Sequence, residues 1–486
     1  MWWFKKPYLI LIYEITFISP LTPEKKIEIE NQKNYIYRIL EEEFKKANCE
    51  VIIWDKDKYH QPINSTYAVI INPVYLSLNE KVENVLKNNT EDINLLREEL
   101  PEVEPLAVKI GKKICENLQI YPELHPNFIN MIFMEDNIDI HHIKSSTKVL
   151  FIRFLMAKLG AFKNIIVPIK ENKIKDNKII LGTLEGGHPS LSLNEIAKRL
   201  MVFGSCKEVG GWKEIENIEI PKEVWQKSIV LNSVIELGKF LGEKGLLSSP
   251  VEIKNLIKDE KLYKFITRLI NYSRQAEGAF MAYEPDIYNG VFAVTCSGKY
   301  GTIKSNLTSK DIAFVIPIEE RRIGVIKKEG EETLGPSVEA EEFVIPLWEH
   351  DKKIKIKKVE NGYSYDEKGK YMPPIRGIVH LHRGYKIHSF NDEFIEVPVD
   401  IENYPPVGCG VDLMQEMSRY AINKAVEIWE NKDRKPCLAF FNVPNHGTNI
   451  FIFWKDINGI IPKNPFYFLI KYISENKINF IEVPQL

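Results

Sequence analysis

Three of the ten histidines, His380, His382 and His388, fall within nine residues of one another. Imidazole suits proton transfer and metal ligation near neutral pH better than any other side chain. On a strand, His380 and His382 project to the same side, because side chains alternate with period two. If Arg383-Gly384-Tyr385 turns the chain as a three-residue hairpin loop, His388 returns opposite His380 on that face. A two-residue loop slips the register and sends His388 to the other face. The first geometry gathers imidazoles as a catalytic site for a divalent transition metal requires, with His380 and His382 as ligands to iron or zinc. The segment also fits an ordinary hairpin with part-exposed histidines.

Cys409 lies between Gly408 and Gly410, immediately before a helical pattern that starts at Val411. Glycine permits close backbone approach, and a helix N-terminus favours thiolate over thiol. Cys409 therefore reads as a nucleophile or as a soft metal ligand beside His380 and His382. A tight turn holding an inert cysteine, with Asp412 complementing the helix dipole, fits the same residues.

A third cluster is Gly186-Gly187-His188-Pro189-Ser190, followed by Ser192 and Glu195 at capping-box spacing. Strand, glycine loop and helix N-terminus bind phosphates or carboxylates through free N–H groups. Gly186, Gly187, His188 and Ser190 are the cofactor-binding candidates on that reading, although the glycine order matches neither common phosphate motif. A plain turn between strand and helix also accounts for them. His446 lies between two predicted strands and joins Cys409 and His388 as a catalytic candidate. Lys299, in the polar glycine loop 296–301, is available to an anionic group. Asp55 stands where a dinucleotide fold grips ribose, but residues 17–23 contain no glycine, which argues against NAD.

The elements that must position these groups divide the chain into three. Apolar runs at 8–15, 50–54 and 67–71 and helical spacings at 24–47 and 93–118 predict an N-terminal, mostly parallel α/β sheet, a Rossmann-like domain over 1–125. Residues 126–276 read as a mainly helical middle domain, with strands at 164–169 and 178–184 and helices at 193–203, 222–242, 251–258 and 262–276. Residues 277–486 read as a β-rich, mixed α+β domain. Its strands are expected at 291–296, 312–318, 322–326, 343–347, 354–359, 377–382 and 394–399. A helix at 411–430, strands at 437–443 and 450–454, a helix at 465–474 and a strand at 478–483 complete it. The whole is a multi-domain α/β and α+β protein, as a length of 486 residues leads one to expect.

Composition narrows the function. The net charge is −2, so a dedicated nucleic-acid binder, which needs a basic excess, is disfavoured. The Lys/Ile alternation at 352–358 is a strand with one solvated face. Six widely spaced cysteines form no Cys-x-x-Cys pair, which points to free thiols in a reducing cytoplasm. The apolar run at 8–18 is broken by Glu14 and is too short to span a bilayer, so no membrane partner is expected.

In length, in Ile/Lys/Asn-rich composition and in the stretches 379–388, 407–413 and 186–190, the chain resembles a group of methanogen accessory proteins. These proteins build the iron-guanylylpyridinol cofactor of the iron-only hydrogenase. The resemblance implies handling of a pyridinol, nucleotide or iron-carbonyl intermediate, and partner proteins of a biosynthetic pathway. The expected function is an enzyme or maturation factor in small-molecule or metallocofactor biosynthesis, acting on a small or nucleotide-like substrate. A non-catalytic scaffold or carrier, and an RNA-associated protein using a local lysine strand, are the alternatives.

Overall fold

Apolar strands too hydrophobic to face water set the frame of the N-terminal half. The computed structural model of the chain describes residues 6–17, 21–63, 67–75, 113–114, 116–119, 127–134, 163–169, 179–183, 187–205, 211–247, 278–297, 302–318, 322–381, 383–388, 392–398, 411–443 and 447–481. Eight strands form the first sheet: β1 Tyr8–Ile12, β2 Thr16–Phe17, β3 Val51–Trp54, β4 Ala68–Tyr75, β5 Asn127–Met134, β6 Lys163–Pro168, β7 Ile179–Thr183 and β8 Gly187–Leu191. Their order is β3-β1-β4-β5-β6-β7-β8, with β2 prolonging the pairing on β4. Pairings from β3 across to β6 are parallel, and β7 and β8 add antiparallel at the far side. Every residue of β4 is buried, as a strand covered on both faces requires.

Helix Pro23–Lys46 begins where the Thr22 hydroxyl accepts the Lys25 N–H and Pro23 fills the first turn. It covers one face through Ile29, Ile36, Leu40 and Phe44, together with helix Leu193–Ser205. Ile114 and Leu118 lie on the opposite face against Ile10, Ile70 and Trp54. The parallel sheet expected near the N-terminus is present. Its hydrogen bonding crosses position 125, since β4 pairs with β5. The strand order reverses after one outer strand, where a Rossmann sheet reverses after two.

The second half adds β9 Trp212–Ile220, β10 Ala279–Glu284, β11 Val291–Thr295, β12 Ile312–Ile318, β13 Arg322–Lys328, β14 Ile354–Val359, β15 Gly362–Tyr365, β16 Lys370–Met372, β17 Ile375–Leu381, β18 Gly384–Ile387, β19 Phe394–Glu396, β20 Leu438–Val443, β21 Gly447–Phe453, β22 Ile461–Pro462 and β23 Ile478–Ile481. Nine of them make a large mixed sheet, β19-β20-β21-β17-β10-β11-β12-β13-β9. Strands β14, β15, β16 and β22 form a small sheet, and β18 pairs with β23 apart from both. Helices Val338–Glu349 and Val411–Asn431 bury one face of the large sheet around Phe343, Ala421, Trp429 and Phe451. Helices Ile229–Glu243 and Tyr467–Ser474 bury the other around Leu237, Phe314, Phe440 and Leu469. Among the described residues no helix is long and apolar enough to cross a membrane.

The strand expected at 343–347 is instead part of helix Val338–Glu349. Phe343, Val344, Ile345 and Leu347 are all buried, so the run carries no face-to-face alternation, and a short all-apolar run fits a buried helix as well as a strand. The helix expected at 222–242 is interrupted, because Ser228 caps a fresh start at Ile229 and its hydroxyl accepts the Leu231 N–H. That second helix lies hard against the turn Lys304–Asn306. A Cβ added to Gly238 would stand 2.2 Å from the Lys304 carbonyl oxygen, and one on Gly242 would stand 2.6 Å from the Ser305 Cβ. Gly→Ala in an unconstrained helix stabilises by about 1 kcal/mol. Here Gly238→Ala is expected to lose about 1–3 kcal/mol in denaturant unfolding through overpacking. A gain of stability would show that the helix does not press on this turn.

Candidate functional site

Strand β17 runs through the middle of the large sheet and is paired on both edges. His380 stands opposite Ala279 of β10 on one side and Asn449 of β21 on the other. Its side chain is only 1% exposed, and Nδ1 lies 2.7 Å from Asn449 Oδ1. An amide oxygen can only accept, so Nδ1 is the donor in this contact. The imidazole is held by a partner that is itself fully buried. Beyond it, the Thr448 hydroxyl donates to the Arg383 carbonyl at 2.7 Å and fixes the chain leaving the strand.

Two helices begin at this same end of the sheet. The Ser337 N–H donates to the Thr295 carbonyl, and the Thr295 hydroxyl accepts the Phe280 N–H beside Ala279. That fixes the start of helix Val338–Glu349, and farther along Trp348 meets Phe292 edge-on at 6.5 Å. Gln415 donates to the Glu341 carbonyl, so helix Val411–Asn431 starts alongside. It finishes at the opposite end of the sheet, where Trp429 stacks on Phe453 at 4.8 Å. Both helices thus direct their positive dipole ends toward the His380 end. Gln415, Ser418 and Asn449 are buried there or in the adjoining turns, and Ser418 Oγ and Asn449 Nδ2 have no hydrogen-bond partner.

The structure separates some residues that sequence reasoning joined. No hairpin brings His388 back to His380, because both edges of β17 are already occupied by β10 and β21. Strand β18 pairs with β23 instead, which leaves His388 exposed, its N–H donating to the Lys477 carbonyl and its Nε2 2.7 Å from Asn479 Nδ2. Gly187, His188 and Ser190 lie on β8, with Gly187 opposite Gly182 and His188 opposite Leu181, where a glycine loop was expected. The capping box that follows is formed: the Ser192 hydroxyl accepts the Glu195 N–H, and the Glu195 carboxylate accepts the Ser192 N–H at 2.9 Å. Asp55 accepts the Asp57 N–H and pairs with Lys58 at 3.2 Å.

Gly186, His382, Cys409 and His446 lie outside the described residues. Leu381 and Gly447, the described residues next to His382 and His446 in sequence, belong to paired strands. Among the described residues no group of three or more His, Cys, Asp or Glu side chains is gathered as metal ligands would be. Cys49, Cys296 and Cys437 are free and buried, and burial pushes the thiols of Cys296 and Cys437 up to about 12. Burial raises the Cys49 thiol as well, so thiolate is disfavoured at all three.

Sequence reasoning missed a lysine cluster at this end of the sheet. Lys304 Nζ donates to the Cys296 carbonyl at 2.7 Å, and Lys328 Nζ donates to the carbonyls of Ile312, at 2.8 Å, and Ser309. Asp311 accepts from the Thr308 N–H and hydroxyl. One signal was legible: Lys328 falls two residues after Ile326, on the strand face that enters the core. Burial pulls Lys304 down to about 8, against the opposing pull of Glu339, Cys296 and Asp311. A lysine depressed on folding releases its proton earlier in the folded than in the unfolded state, so stability rises with pH between the two values. Wild type is therefore expected to gain roughly 2–3 kcal/mol relative to Lys304→Met between pH 7.5 and pH 10. Parallel urea titrations of the two proteins read that difference, and a gap that stays constant with pH would show that Lys304 titrates normally.

Searches against protein families, curated proteins and solved structures find nothing that matches this chain.

Proposed function

We propose that the chain is an enzyme or maturation factor of small-molecule or metallocofactor biosynthesis, working at the His380 end of the large sheet. One observation carries this reading: His380, buried in the central strand, is pinned at Nδ1 by Asn449 Oδ1 at 2.7 Å. A neutral imidazole fixed in this tautomer offers Nε2 as an electron-pair donor, either to a substrate proton or to a divalent metal. Metal-binding and general-base histidines are commonly oriented through the opposite ring nitrogen in this way. A purely structural core position would more cheaply hold an apolar residue, because a buried polar pair only recovers its desolvation cost. The iron or zinc reading adds His382 and Cys409 as further ligands, and the resemblance to the hydrogenase-cofactor accessory proteins supports that choice of chemistry.

The test is elemental analysis with native mass spectrometry on protein purified without oxygen, comparing wild type with His380→Ala. Wild type is expected to retain a metal or a small molecule, and the variant to lose at least nine-tenths of it while its circular dichroism is unchanged. Equal retention in both proteins would rule out His380 as the donor.

A further inference from the structure

Asn449 has two polar ends, and His380 uses one. Its Oδ1 faces His380 Nδ1, so the planar amide directs Nδ2–H away from that bond, and this donor is buried without a hydrogen-bond partner. The residue is fully buried, so water does not satisfy the donor from bulk solvent. Leaving an amide N–H dry and unpaired is unfavourable, and such groups are rare unless a ligand or ordered water completes them. A second donor, Ser418 Oγ, is likewise buried and unpartnered, on the helix that begins at this end. That helix and its neighbour Val338–Glu349 both direct N-terminal dipole ends this way, which favours an electron-rich oxygen at the donor.

We infer that Asn449 Nδ2–H binds a carbonyl or carboxylate oxygen of the ligand, so that one side chain both sets the tautomer of His380 and selects an oxygen-bearing substrate. This rests on the proposed function and narrows it. It makes Asn449 a specificity residue, and it assigns the ligand an acceptor oxygen within reach of the group that His380 Nε2 serves.

The test uses three matched probes on the full chain, benzoate, benzamide and benzylammonium, with affinities read by calorimetry. Wild type is expected to bind benzoate or benzamide at least tenfold more tightly than benzylammonium. Asn449→Asp keeps the size of the side chain and the acceptor facing His380 but replaces the donor with an oxygen. It is expected to lose at least tenfold for benzoate and to gain for benzylammonium. Equal or inverted ranking in wild type, an adventitious ordered water with no probe binding at all, or unchanged benzoate affinity in the variant would each overturn the inference. If the variant does not fold, the wild-type ranking decides alone. Failure here with normal loss of bound metal or small molecule in His380→Ala leaves the proposed function standing. Unchanged retention in His380→Ala removes that function whatever the probes do.

Discussion

A histidine in the interior strand of a nine-stranded sheet has no access to bulk water, and the hydrogen bond from its Nδ1 to Asn449 is what makes that position tolerable. The two residues are direct cross-strand partners, so the strand register itself delivers the imidazole to the amide. Any slip of β21 by one residue would turn Asn449 to the opposite face and place Thr448 or Ile450 beside the ring. The pairing of β17 with both β10 and β21 therefore fixes the hydrogen-bond partner of His380. It also fixes what the chain does next, since β18 has no free edge to join and leaves for β23.

The two ends of the large sheet carry different kinds of buried charge. At the far end Arg376 is buried, donating to the carbonyls of Pro462 and Lys463 and lying over the Trp454 ring at 4.3 Å. That arrangement ties the small sheet to the large one. At the His380 end the buried cations are Lys304 and Lys328, which hold backbone carbonyls around the turns at 304–311. These lysines clamp the turns at one end of the sheet, under helix Ile229–Glu243. The close approach of Gly238 and Gly242 to the same turn adds a packing constraint to the polar one.

Much of the secondary structure was legible because single-face and double-face burial leave different patterns. Strands at 312–318 and 354–359 have the bounds that alternation and apolar runs predict, and helix Val411–Asn431 extends the expected 411–430 by one residue. The run at 343–347 misled because it is buried on every side. β9, whose residues are mostly exposed or half-buried, left little apolar signal. In the candidate site, His380 was singled out by the histidine cluster. Its true partner was not, since Asn449 is 69 residues away and is brought to it only by strand pairing. The expected convergence with His388 failed for a reason no local pattern reveals: the neighbouring positions on β17 were filled by strands distant in sequence. Lys304 escaped notice because its burial depends on helix Ile229–Glu243 packing across it.

The account depends on His380 being neutral, with its proton on Nδ1. Nitrogen-15 NMR of protein labelled at histidine, with His380 assigned by the His380→Ala spectrum, reads this directly. The account predicts a protonated Nδ1 and an unprotonated Nε2 through neutral pH. A ring protonated at Nε2, or at both nitrogens, would contradict it.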